Sequence, residues 1–102
     1  MPVKHEFKYN NASIDLHQWI NTLSISEQQT FKEAQDRQFA TRQLHIDSGD
    51  LKVEIKDSIQ YYVWKDEETE RIGKKQDPIW MQYFNRYLSE NNIQFEVVKT
   101  KL

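Results

Sequence analysis

The chain contains no cysteine, and among its 102 residues only two are glycine and two are proline. Without thiols there is no disulfide framework, no thiolate nucleophile and no zinc site built on sulfur. That absence fits a reducing compartment. Two glycines, Gly49 and Gly73, are too few for a loop that cradles phosphate, and neither a dinucleotide fingerprint nor a P-loop is present. The nucleophile elbow, the paired-histidine zinc helix and the calcium-binding loop are missing as well. With so little Gly and Pro there is no flexible or proline-rich linker. No apolar run reaches the length of a membrane span, and Met1-Pro2-Val3-Lys4-His5-Glu6 carries no signal-peptide core. A cytoplasmic location and no membrane partner are therefore expected.

A basic excess is also lacking. Fourteen Lys and Arg against 16 Asp and Glu give a formal charge of −2. Nucleic-acid binders draw most of their non-specific affinity from phosphate contacts and usually show the opposite balance.

What the chain has in abundance is aromatic side chains: 3 Trp, 5 Tyr and 5 Phe. Its length suits one domain, 1–102, with a single core built largely on those rings. Val3, His5, Phe7 and Tyr9 alternate with charged residues, which predicts a half-buried strand ended by Asn10-Asn11. Asp15, with Gln18 three residues on, predicts a capped short helix presenting Leu16, Trp19, Ile20 and Leu23. Ser26 and Gln29 repeat the capping pattern before a longer helix, about 27–45, with Glu33 and Arg37 spaced for an ion pair. Its apolar face is thin: Phe31, Ala34, Phe39 and Ile46.

After the turn at 47–50, Leu51-Val53-Ile55 and Ile59-Tyr61-Val63 form two alternating runs joined as a hairpin. A three-residue loop, 57–59, sets Ile55 opposite Tyr61 and Val53 opposite Val63, uniting the smaller apolar residues on one face. Tyr62 and Trp64 then share the other face with Lys52, Glu54 and Lys56. The charged stretch 65–77 reads as a solvated loop in which Thr69-Glu70-Arg71-Ile72 forms a short edge strand.

Asp77-Pro78 opens the clearest helix of the chain, and Asn91 or Asn92 closes it. Trp80, Tyr83, Phe84 and Tyr87 recur at i, i+3, i+4 and i+7, and Ile79 and Met81 widen the apolar arc to about 200°. A last strand holds Ile93, Phe95 and Val97. The expected class is α+β: a small, mainly antiparallel sheet of about four strands, in the order β-α-α-β-β-(β)-α-β, with helices on one face.

No constellation of catalytic roles emerges. His5 and His17 have no evident second group, and His45 with Asp47 and Asp50 matches no defined metal spacing. The serines are explained by caps and turns. The expectation is a non-enzyme without cofactor or metal, acting as a small protein-interaction module through a protein partner or self-association. The candidate surface is Lys52, Tyr62 and Trp64 on the sheet and Trp80, Tyr83 and Tyr87 on the aromatic helix. The alternative is a nucleic-acid module that stacks bases on Tyr62 and Trp64 among lysines. A third reading is a small enzyme or ligand carrier with a pocket between helices and sheet.

Overall fold

A computed structural model describes every residue, 1–102. Its elements are β1 (Val3–Asn10), α1 (Leu16–Ile20), α2 (Ile25–Asp47), β2 (Leu51–Lys56), β3 (Ile59–Trp64), α3 (Glu67–Gly73), α4 (Pro78–Glu90) and β4 (Gln94–Lys101). The four strands form an antiparallel sheet in the order β2-β3-β1-β4, and the α+β class is as expected. The chain divides into two compact units. One comprises Met1–Lys8, Ala40–Lys75 and Phe95–Leu102; the other comprises Tyr9–Phe39 and Gln76–Gln94.

The first unit is built on the sheet. Val3, Leu51, Tyr62 and Trp64 form its buried core, with Phe7 and Ile46 packed against them. The hairpin differs from the expected register. Its loop has two residues, Asp57 and Ser58, with φ of 53° and 66°, and it pairs Leu51 with Trp64 and Val53 with Tyr62. Two left-handed residues in succession are the signature of the hairpin turn that matches strand twist. Neither is glycine, which costs roughly 1–2 kcal/mol per residue. Burying a Tyr and a Trp is worth more, since each withdraws roughly 150–250 Å² at about 25 cal/mol/Å². A one-residue shift moves every side chain to the opposite face. Tyr62 and Trp64 therefore lie inside with Val3 and His5, their partners on β1, and Tyr61 and Val63 share the face of Lys4 and Lys52.

The helical parts of this unit cover the inner face. Arg42 of α2 lies over the Tyr62 ring at 5.0 Å and His45 meets Trp64 edge-on at 5.6 Å. At the end of α2, Gly49 takes φ 82°, and the Asp50 N–H reaches back to the His45 carbonyl at 2.9 Å, a left-handed helix stop. Where a strand at 69–72 was expected, the chain forms α3 instead. Asp66 accepts from the Thr69 N–H at 2.8 Å and from its hydroxyl at 2.7 Å, while Glu67, Glu68 and Glu70 occupy the first turn. Acidic residues there and Arg71 in the last turn suit the helix dipole, a local signal that outweighs the loop reading of the charge blocks. Gly73 ends α3 directly against Trp64, where a β-carbon would overlap the ring.

The second unit is aromatic and helical. Asp15 and Gln18 form the expected capping box, and Trp19 and Ile20 are buried. The Ser24 hydroxyl accepts from the Glu27 N–H at 3.2 Å, so the cap falls two residues before the expected Ser26 and α2 starts at Ile25. Phe31, Ala34 and Gln38 are the buried residues of α2, whereas Phe39 is exposed. Buried Gln38 is satisfied by the segment before α4: its Oε1 accepts from the Asp77 N–H at 2.7 Å and its amide donates to Gln76 Oε1. Arg37 reaches Asp77 at 2.9 Å rather than pairing with Glu33, which accepts from Gln29. Asp77 meanwhile caps Ile79 and Trp80. Tyr83, Phe84 and Tyr87 are buried, and Asn92, with φ 52°, ends the helix as Ile93 N–H bonds Leu88 O at 2.9 Å.

Candidate functional site

A cleft of about 450 Å³ lies between the 9–17 segment and α4 in the second unit. Tyr9, Ile14, Trp80, Phe84 and Tyr87 supply its apolar lining. Local structure explains why it stays open. Asn11 turns the chain out of β1 with φ 66°, and the capping box then fixes the start of α1. There the Asp15 N–H donates to Gln18 Oε1 at 3.0 Å and the Gln18 N–H donates to Asp15 Oδ1 at 2.8 Å. The Tyr87 hydroxyl donates to the Ile14 carbonyl at 2.5 Å, tying the 9–17 segment to α4. Trp80 stacks on Phe84 with centroids 5.0 Å apart and planes 16° from parallel, and Tyr9 meets Phe84 edge-on at 6.4 Å. Tyr9 is 49% exposed, and Trp80 remains partly exposed although its indole N–H is buried without an acceptor.

Several polar groups of this cleft are committed to structure. His17 Nε2 lies 3.0 Å from the Gln35 amide and Asp15 serves as a cap. Burial, seconded by the Asp15 carboxylate, holds the Tyr87 hydroxyl above its usual pKa, so it stays protonated at neutral pH. The walls offer the aromatic faces of Tyr9, Trp80 and Phe84.

A second concavity, about 480 Å³, belongs to the first unit and is lined by charged residues of α3 and by Lys99. Glu70, one of its lining residues, is 1% exposed, with Lys99 Nζ at 2.7 Å, Lys74 Nζ at 3.2 Å and His5 Nε2 at 3.8 Å. Burial drives the Glu70 pKa up, but the Lys99 and Lys74 ammonium groups outweigh it and hold the carboxyl below its usual range. Burial, opposed by Glu70 and reinforced by both lysines, pushes His5 below its ordinary value. Two cations and one carboxylate close on each other here, which is an internal ion cluster. No group of three or more His, Asp or Glu side chains is placed to hold a metal ion; His45 and Asp50 approach to 3.6 Å with Lys65 beside them.

The structure brings together only part of the surface expected from sequence. Trp80 and Tyr87 line one cleft, and Tyr83 is buried against Phe31 and beneath the Arg86 guanidinium. Tyr62 and Trp64 are 9% and 3% exposed, so they face the core while Lys52 is exposed on the opposite side of the sheet. The ring that does share the lysine face is Tyr61, under Lys4 Nζ at 4.2 Å and paired across strands with Glu6 and Glu54. Tyr9, Ile14 and Phe84 complete the cleft and were not singled out in the sequence; Phe84 stood in the aromatic stripe, and Tyr9 ended the first alternating run. No family model matches the chain, and neither does any curated protein or solved structure.

Proposed function

We propose that this chain is a non-catalytic recognition module that takes an apolar side chain of a protein partner into the cleft of Tyr9, Trp80 and Phe84. The observation that carries the reading is an open, aromatic-walled cleft in which the Asp15 carboxylate and the Tyr87 hydroxyl are already engaged in a helix cap and a tie to Ile14. Such a site suits an aromatic or branched aliphatic anchor, the kind of residue that dominates interface energetics. One fully buried side chain of this type contributes roughly 1.5–3 kcal/mol, or about 10- to 150-fold in affinity. A single-anchor complex is therefore weak and transient, and a selection method suits it better than a pull-down.

Peptide display against the intact chain tests this. Selected sequences should share one aromatic or Leu/Ile/Met anchor, and Trp80→Ala should lose them while keeping the far-ultraviolet spectrum of the parent. Enrichment that survives Trp80→Ala, or no enrichment at all, would remove the proposal. The base-stacking alternative has lost its platform, since Tyr62 and Trp64 are buried and Tyr61 has acidic cross-strand neighbours.

A further inference from the structure

The geometry points to a second contact, independent of the cleft: β2 pairs with β2 of another copy of this chain, antiparallel about Val53, extending the sheet across a two-fold axis. Strand β2 is the edge of the sheet, and Lys52 to Lys56 are all exposed. Lys56 and Ile59 flank the two-residue turn and so exchange hydrogen bonds with each other. The alternation then aims the N–H and C=O groups of Glu54 and Lys52 at β3, and those of Leu51, Val53 and Ile55 out from the free edge. An edge strand carrying lysines is ordinarily one protected from such pairing. Here the order Lys52-Val53-Glu54 reverses that protection for one partner only.

With Val53 opposite Val53, each Lys52 faces the Glu54 of the other copy, and Leu51 faces Ile55. The outward-aimed backbone groups then meet each other, and two opposite-charge pairs form on the outer face. On the inner face Val53 and Ile55, which are 39% and 76% exposed, gain apolar neighbours. The neighbouring registers are less well matched. Centring on Glu54 sets Glu54 against Glu54 and Lys52 against Lys56, while centring on Lys52 sets Lys52 against Lys52. Centring on Ile55 pairs Glu54 with Lys56 but drives Val53 against Asp57 in the turn. Cross-strand charge pairs stabilise when opposite and destabilise when alike, so of these four registers the one centred on Val53 is the best matched.

The absence of native cysteine makes the test direct. A lone Val53→Cys thiol lies on the axis, where paired α-carbons at about 5.5 Å fall within disulfide range. Ile55→Cys thiols lie two residues from the axis in each copy and are out of reach. The expected results are a concentration-dependent dimer by sedimentation and oxidative cross-linking of Val53→Cys but not of Ile55→Cys. Glu54→Lys should weaken association by about tenfold or more, and the charge swap Lys52→Glu with Glu54→Lys should restore it. A monomer at every concentration with no Val53→Cys cross-link overturns the inference. So does a dimer indifferent to Glu54→Lys, or one that cross-links at Ile55→Cys instead.

Discussion

Substituting Gly73 by alanine places a methyl group where the edge of the Trp64 ring already lies. The two carbons have nowhere to separate cheaply. Trp64 is 3% exposed and held by Leu51 and Val3 across its strands, and His45 closes the remaining side. In an unconstrained helix, glycine to alanine gains roughly 0.5–1 kcal/mol of backbone entropy. Overpacking a well-filled core costs roughly 1–3 kcal/mol. The clash wins, and the net loss is about 1–2 kcal/mol, which lowers the melting temperature by roughly 5–15 °C for a domain of this size. Thermal unfolding by circular dichroism measures it. Because the cost is the collision itself, Gly73→Ala in a Trp64→Leu background should be much less damaging than in the parent, a non-additive pair. Gly73→Ala as stable as the parent, or equal damage in both backgrounds, would mean that no collision with Trp64 occurs.

Gly49→Ala should also destabilise, by about 1 kcal/mol in urea unfolding, through the left-handed backbone rather than through contact, because the space around Gly49 is open. Asp77→Ala strips the cap from α4 and leaves Arg37 unpaired; a loss of about 1–2 kcal/mol is expected, and Asp77→Asn should recover part of it. Tyr87→Phe removes the hydrogen bond to Ile14 and should cost about 1 kcal/mol, since it orphans a part-buried carbonyl. Acid should destabilise the fold in two stages. His5 has a folded pKa below its ordinary 6.5, so its contribution is complete above 6.5 and falls away as pH drops from there. Glu70, also lowered, contributes fully above its ordinary 4.5 and loses that contribution below it. Urea midpoints measured from pH 8 to 3 should show both stages, and His5→Gln should abolish the first.

Local rules carried most of the architecture. The Asp15 capping box, the Asp77-Pro78 start and the asparagine stop of α4 stand in the structure as written in the sequence, because each is settled within a few residues. The alternation of β1, β2 and β3 placed the strands for the same reason. The hairpin register was not legible, since it depends on which face the helices cover: Tyr62 and Trp64 go to the side where Arg42, His45 and Gly73 close over them. Two positive-φ residues without glycine are a price no turn rule anticipates. The segment 67–73 offered a helix signal in Asp66 and its acidic first turn, and block charge obscured it. Of the cleft, Trp80 and Tyr87 could be named from helical spacing, but Tyr9 and Ile14 could not, because they meet α4 only through a tertiary hydrogen bond and ring contacts.

Whether the cleft beside Trp80 binds an apolar side chain can be read from a single spectrum, because the chain has three tryptophans. Their indole N–H resonances, from Trp19, Trp64 and Trp80, are separately resolvable in a ¹⁵N-labelled chain titrated with an anchor-bearing peptide from the selection. The Trp80 resonance should move most and saturate, with Trp64, buried in the sheet core, left in place. A saturating shift at Trp64 with Trp80 unmoved would contradict it.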